Sequence, residues 1–384
     1  MTGEAQPSHG LDEDHLALRE VAAEVARRHI APHAERVDDK SAFPADGLRA
    51  LVSAGLHAVG IPEEFGGQGG DHLASAVVAE EVARVCATTQ QVYGANELFA
   101  LPLLLAGSDD QKHRYLPRIA SGEWLGAFAL SEPEAGSDVA GISTSAVEID
   151  GGWEIRGTKR WITNAGVADV YVVFASTDPG SAGKGLSAFV VEATDEGLSF
   201  GAPERKMGMK GSPTCEVLLD RVRVPADRII GRPGDGMGIA LGTLDRTRTT
   251  VAAQAVGIAQ GALDVARAYL VDRRQFGRPL SHFQGLQFMV ADMEIAVRAS
   301  RLLTHAAARE LDGGGGDITT SGAVAKCFAS DTAMKVTTDA VQLLGGAGYV
   351  KDFPLERMMR DAKVTQIYEG TNQIQRVVIA RALL

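Results

Sequence analysis

The sequence predicts an α–β–α chain: a helical first block, a β block in the middle and a helical last block. Three observations predict it. Apolar residues recur at helical spacing over residues 12–125, short β-branched runs take over from about residue 126, and helical spacing returns from about residue 235. The β runs follow one another without intervening helices, which favours a compact antiparallel sheet or barrel over a βαβ array. With 384 residues, the chain can build two or three cores. The expected domains are 1–125, 126–234 and 235–384.

In the first block, Leu18, Val21, Ala22, Val25 and Ala26 form one apolar stripe, and Leu73, Val77, Val78, Val82 and Val85 another. Pro32, Pro44, Pro62 and Pro102 punctuate these helices, and EFGGQGGD (64–71) is a loop. In the middle block, SAVEID, the Gly151-Gly152 turn and WEIRG read as a hairpin, with further strands at 170–176, 186–193 and 215–224. In the last block, helices are predicted over 238–273, 282–311 and 321–344. GGGG (313–316) joins the second to the third, and TNQIQRVVIARALL closes the chain as a helix.

Composition excludes several classes. Apolar residues make up 45% and charged residues 23%, a globular profile. A net charge of −11 argues against nucleic-acid binding through phosphate neutralisation. Cys86, Cys215 and Cys327 lie far apart with no CxxC, so neither a disulfide framework nor a zinc site is expected, and a reducing compartment fits. The opening MTGEAQPSHGLDEDH lacks the basic and apolar parts of a signal peptide. No uncharged apolar window reaches about 18 residues, so the expectation is a cytoplasmic protein without a membrane span. HIAPH (29–33) has histidines at i, i+4, but Pro32 divides them and no HExxH glutamate is present, so no metal is expected. GRPGDGMG (231–238) lacks the second strand of a dinucleotide fold and reads as a loop opening a long helix. Neither a GxSxG elbow nor a P-loop occurs.

Three segments carry chemistry. FALSEPEAGSDVAG (128–141) offers small residues, hydroxyls and backbone amides, suited to a planar hydrogen-bonding ring beside a phosphate, or to a glycine-rich corner. TKRWITNAG (158–166) presents Trp161 and Thr163 either to one ligand or as a core ring and a strand hydroxyl. QLLGGAGYVKDFPLERMMRDAKVTQIYEGTNQIQR (342–376) puts close glycines in a helical context, where a backbone or ligand can approach. Within it, Glu369 lies in a charge-poor stretch, as surface decoration or as a carboxylate of raised pKa able to act as a base.

In their order and separation, these segments resemble the acyl-CoA dehydrogenase family from about residue 12 onward. ALSEPEAGSDVAG (129–141) and QLLGGAGYVKDFPLERMMRD (342–361) read through without a gap, and KRWITNAG, LDRTR (244–248), DRRQFGRPL (272–280) and IYEGT (367–371) fall in sequence. The resemblance implies an α+β multidomain fold: an N-terminal helical domain, a β-barrel-like middle domain and a C-terminal four-helix bundle, assembled as a homotetramer of paired dimers. It implies FAD between the β-domain and the bundle. Phe128, Leu130, Ser131, Gly136, Ser137, Trp161, Ile162 and Thr163 would line the flavin side, with Ser131 and Thr163 as donors. Arg273, Phe276, Gln284, Gln342, Leu343, Gly345 and Gly346 would reach the adenosine and pyrophosphate from the neighbouring subunit, and Thr371 and Gln373 would complete the site.

The implied activity is α,β-dehydrogenation of a fatty acyl-CoA thioester in β-oxidation, with electrons passed to an electron-transfer flavoprotein. Glu369 would remove the α-proton. Some family members carry this base where Thr247 stands here; threonine cannot serve, so the resemblance assigns the role to Glu369. Asp245, Arg248, Ser137 and Gly370 would lie near the thioester carrier. Phe128 stands where many relatives have tyrosine. In the helix over 88–102, Gln91, Tyr93 and Gly94 would lie near the acyl end. Tyr93 would shorten the pocket and Gly94 would lengthen it, so short or medium, including branched, chains are expected. CoA and an acyl-carrier protein both remain open as carriers, because they share the pantetheine arm. A non-catalytic assembly subunit of the same fold is the other class, and the presence of Glu369 speaks for the enzyme.

Overall fold

A computed structural model describes residues 10–180 and 185–384. Most of the polar N-terminal stretch read above for a leader lies outside the described residues. The first block contains helices α1 (Glu13–Val25), α2 (Ala34–Asp39), α3 (Ala45–Ser53), α4 (His72–Ala106) and α5 (Asp109–Ala120). Asp12 and Asp71 cap α1 and α4 by accepting the N–H groups of His15 and Ala74 at 2.9 and 2.7 Å. Ala22, Ala26, Val77, Val78 and Val82 are buried as their spacing predicts, but Val21 faces solvent. Pro102 does not end a helix; it lies inside α4. The break in α4 comes earlier, at Cys86, whose φ of −154° and ψ of 93° leave helical geometry. His29 falls on a π-helical turn, Ala26–Ile30, and His33 on the 3-10 turn that follows it, Ala31–His33.

The middle block holds β1 (Gly126–Ala129), β2 (Ser145–Ile149), β3 (Gly152–Thr163), β4 (Val170–Ser176), β5 (Leu186–Glu192), β6 (Leu198–Phe200), β7 (Thr214–Pro225) and β8 (Ile229–Ile230). Their order is β6-β7-β3-β2-β4-β5-β8, with β1 beside β4. The β2–β3 hairpin forms around Gly151, whose φ of +77° suits the turn. β4 is apolar from Val170 to Ala175 because both its faces are covered. Val170, Val172 and Phe174 pack on Phe99 and Leu103 of α4, while Tyr171 and Val173 pack on Ile155 and Val217 of the strands opposite. The sheet is not wholly antiparallel, as the run of strands had suggested. β1 pairs parallel to β4, and β2 meets β4 parallel at Ser145 and Ser176. The loop 130–144 carries the chain back between β1 and β2, which lets both run the same way.

GRPGDGMG opens α6 (Gly236–Asp272), as expected. A short hairpin, β9 (Arg274–Gln275) and β10 (Arg278–Pro279), leads into α7 (Gln284–Asp312), α8 (Ile318–Leu344), α9 (Gly346–Tyr349), α10 (Leu355–Thr365) and α11 (Asn372–Leu383). Ala255, Ala259, Val297, Ala329, Ala333 and Leu355 share one core between α6, α7, α8 and α10. Small residues dominate it, so the helices lie close. α6 also runs against α4 with nothing between: a Cβ at Gly257 would come within 2.2 Å of the Glu80 carbonyl oxygen, and one at Gly261 within 2.2 Å of that of Arg84. Arg301 of α7 then locks the seam, donating to Glu80 Oε1 of α4 and Gln260 Oε1 of α6, both at 2.8 Å. Among the described residues no helix is long and apolar enough to cross a membrane.

Gly257→Ala tests this seam. Overpacking costs about 1–3 kcal/mol and outweighs the gain in helix propensity of about 1 kcal/mol. A lowered Tm is expected. Gly238→Ala on the same helix, where an added Cβ meets nothing within 4 Å, should hold or raise Tm.

Candidate active site

Glu369 lies between α10 and α11 with φ at +51°, followed by Gly370 at +90°. Left-handed backbone is rare for glutamate, so the fold must hold it. Gln375 Nε2 donates to the carbonyls of Glu369 and Gly370 at 3.1 and 3.0 Å. Lys326 Nζ, from α8, donates to the Gly370 carbonyl at 2.7 Å and to Asn372 Oδ1 at 3.0 Å. The clamped turn aims the carboxylate at α6, where Thr247 Oγ1 donates to Glu369 Oε2 at 2.5 Å. Burial raises the Glu369 pKa; Thr247, Lys326 and Arg248 pull it down without cancelling the rise. The sequence neighbours of Glu369 are uncharged, but α6 and α8 bring two cations near it. Burial pushes the Lys326 ammonium down to about 8 despite the pull of Glu369.

Gln91, Gly94 and Leu98 of α4, with Thr247, Tyr368 and Glu369, line one narrow cavity. Asp245 accepts from Arg248 at 2.5 Å and from Thr319 at 2.7 Å, while Arg248 Nε is buried without a partner. That orphaned donor suits an oxygen-rich ligand. Gln91 Nε2 also donates to Thr163 Oγ1 at 3.2 Å, which joins the Glu369 cavity to the TKRWITNAG segment.

That segment is shaped by a bulge. The β3–β7 register slips between Lys159 and Ile162, and Trp161 takes φ +58°. The slip turns Trp161 outward, 51% exposed, so it is not the core ring that its sequence also allowed; Ile162 is buried. Phe128 is half-buried against Phe174, Leu130 is buried and Ser131 half-buried, whereas Gly136 and Ser137 are exposed. An internal ion pair anchors their loop. Lys159 Nζ reaches Glu132 Oε1 at 2.8 Å and the Leu130 carbonyl at 3.0 Å, and Glu132 also accepts from the Ser143 and Thr144 N–H groups. Burial alone would raise the Glu132 carboxyl, but Lys159 and these donors hold it down to about 2.

Arg273, Phe276, Gln284, Gln342, Gly345 and Gly346 are exposed. They gather at one end of the bundle, because α6 ends, α7 begins and α8 ends there. Leu343 differs: its side chain is buried in the bundle core, so only its backbone can face a ligand. Thr371 caps α11 by accepting the Ile374 N–H at 3.3 Å, and Gln373 is exposed.

Family models for the N-terminal, middle and C-terminal acyl-CoA dehydrogenase domains match residues 12–123, 127–222 and 234–384. The chain belongs to the acyl-CoA dehydrogenase family. It is 54% identical over 374 residues to the probable acyl-CoA dehydrogenase FadE25 of Mycobacterium tuberculosis, covering 97% of this chain and 96% of the relative. The butyryl-CoA dehydrogenase structure from Megasphaera elsdenii superposes with a TM-score of 0.94 at 40% identity, over 97% of this chain and 99% of that one. A chain solved in work on the electron transferring flavoprotein of Acidaminococcus fermentans reaches 0.96 at 45% identity, over 98% and 99%. As an acyl-CoA dehydrogenase, this protein is an oxidoreductase.

Of the residues expected near the acyl end, the Glu369 cavity takes Gln91 and Gly94 but not Tyr93. Tyr93 packs with Val82 and Cys86 in the first block and lines a second cavity. Helical geometry explains this: Gln91, Gly94 and Leu98 share a face at i, i+3, i+7, and Tyr93 falls off it. Sequence reasoning missed Lys326, Gln375 and the Glu132–Lys159 pair. Lys326 did leave a signal, a lone cation inside the small-residue run GAVAKCFA.

Lys159→Met should test the loop anchor. Stranding Glu132 without its cation costs about 3–5 kcal/mol. A clear drop in the urea midpoint is expected, with partial recovery in Lys159→Met/Glu132→Gln.

Proposed function

We propose that this acyl-CoA dehydrogenase binds FAD and converts a fatty acyl-CoA thioester to the trans-2-enoyl-CoA, with Glu369 as the base. The observation that carries this reading is a desolvated carboxylate clamped in a left-handed turn and facing a cavity. The residues around Trp161 suit a flavin. An exposed indole face, the Thr163 and Ser131 hydroxyls, and the open backbone at Gly136 match a flat ring with hydrogen-bonding edges. Bound FAD would take the β-hydrogen as hydride. The chain's own part is to hold and to deprotonate. Asp245, Arg248, Ser137 and Gly370 would position the thioester and its pantetheine arm. The thioester carbonyl acidifies the α-carbon, and the Glu369 N–H would help stabilise the developing enolate. Glu369 would then accept the α-proton; burial makes it a better base than an exposed glutamate.

Arg273, Phe276, Gln284, Gln342, Gly345 and Gly346, with the Leu343 backbone, would serve the adenosine and pyrophosphate parts of a neighbouring subunit's FAD, and Thr371 and Gln373 would complete the cofactor site. This fits a homotetramer, as does an apolar stripe on α7: Phe288, Ile295 and Leu302, seven residues apart, are 60, 66 and 51% exposed. We place the domain boundaries at residues 125/126 and 234/235, the enzyme in cytoplasmic β-oxidation, and an electron-transfer flavoprotein as acceptor.

Glu369→Gln keeps shape and hydrogen bonding but cannot take the proton. The variant should bind flavin and acyl-CoA, yet reduce the flavin about 10²–10⁴-fold more slowly in stopped flow. Reduction near the parent rate would place the base elsewhere. Because the active base is the ionised form, parent kcat/KM should rise with pH, with its midpoint above the ordinary value of 4.5. Ile295→Glu should shift light-scattering mass to a smaller species, since it buries a charge wherever the α7 stripe meets another copy.

A further inference from the structure

Glu97 lines the same cavity as Glu369, and the reaction just described does not use it. It comes from α4, one residue before Leu98. Thr250 Oγ1 donates to Glu97 Oε1 at 3.2 Å, much as Thr247 donates to Glu369. The two threonines lie three residues apart on α6, an axial step of about 4.5 Å. Two carboxylates are therefore held by one helix face, offset along it. Glu97 and Thr250 also line the second cavity, with Ala100, Leu101 and Leu104, so Glu97 stands at the junction between the two.

Among the described residues no cation is placed to balance it: burial and the charge of Glu369 raise its carboxyl to about 7, and only Thr250 opposes them. A pocket for plain alkyl chains has no use for such a group. Against a methyl end, the oxygen not serving Thr250 loses its hydration and gains nothing. Against a hydroxyl or amine on the acyl chain, the same oxygen accepts a hydrogen bond.

We propose that Glu97 is a specificity-determining residue that selects acyl thioesters bearing a hydrogen-bond donor, a hydroxyl or an amine, near the fifth atom of the acyl chain. The inference rests on Glu369 marking the α-carbon: a step of about 4.5 Å from there spans roughly three or four bonds of extended chain.

The test pairs chains of equal length on the purified holoenzyme. Binding is read by calorimetry with S-(5-hydroxypentyl)-CoA and S-hexyl-CoA, thioethers that lack the carbonyl and cannot react. Turnover is read with 5-hydroxypentanoyl-CoA and hexanoyl-CoA. The parent should favour the hydroxylated partner about 10-fold in both readouts, as one hydrogen bond to a buried carboxyl allows. Glu97→Leu should reverse the ratio, and Glu97→Gln, which keeps an acceptor, should retain part of it. A parent that favours the alkyl partner, or a ratio untouched by Glu97→Leu, would overturn the assignment alone. Binding of the expected ratio without turnover of any thioester would support Glu97 and count against Glu369. Absence of binding by either thioether would overturn both.

Discussion

The seam between α4 and α6 is the constraint on which the rest depends. Gly257 and Gly261 let α6 lie directly on the α4 carbonyls of Glu80 and Arg84, and Arg301 ties both helices to α7. Further along the same pair, Gln91 and Gly94 face Thr247 and Thr250 across the narrow cavity. The close approach at Gly257 and Gly261 sets the spacing from which this cavity opens. Any side chain at Gly257 would move that spacing along both helices, since packed helices transmit displacement.

Buried charge holds two awkward geometries near the site. Glu132 and Lys159 hold a loop of small residues that has few contacts of its own. Lys326 holds a left-handed glutamate that its own φ disfavours. In each case the charged group spends its bonds on backbone: Lys159 on the Leu130 carbonyl, Glu132 on the Ser143 and Thr144 amides, Lys326 on the Gly370 carbonyl. A buried ion pair is a poor source of net stability but an effective way to specify one conformation. We read the Glu132–Lys159 pair and Lys326 as conformational anchors for the site.

The blocks were legible because they depend on local period. The hairpin at Gly151, the long α6 and the loop opening it all follow from residues within one turn or one strand. What escaped is what depends on distant partners. Pro102 looks like a helix end, yet it is carried inside α4, where packing on the β-domain outweighs one lost hydrogen bond. β1 beside β4 cannot be read from adjacent strands, because the 130–144 loop sets its direction. Trp161 could be read as a core ring or as facing a ligand, and a register slip against β7 puts it outside the core. Glu369 was singled out by resemblance as the candidate base, but the cations near it were not legible, since Arg248 and Lys326 lie 121 and 43 residues away in the chain. Tyr93 falls outside the Glu369 cavity and into the neighbouring one, because closeness in sequence does not say which helix face a residue occupies.

As the proposed base, Glu369 has to satisfy two opposing demands. Burial alone would favour the neutral acid, and a neutral acid cannot accept a proton. Full pairing with a cation would keep it ionised but leave it a weak base. The fold steers between these. Lys326 stands close enough to be felt, yet its ammonium is committed to the Gly370 carbonyl and Asn372, and Arg248 is engaged by Asp245. Neither cation hydrogen-bonds the carboxylate; the donor that does is the uncharged Thr247. The same logic explains why threonine suits position 247. Its hydroxyl steadies the ionised base without neutralising it, which a lysine or arginine there would do.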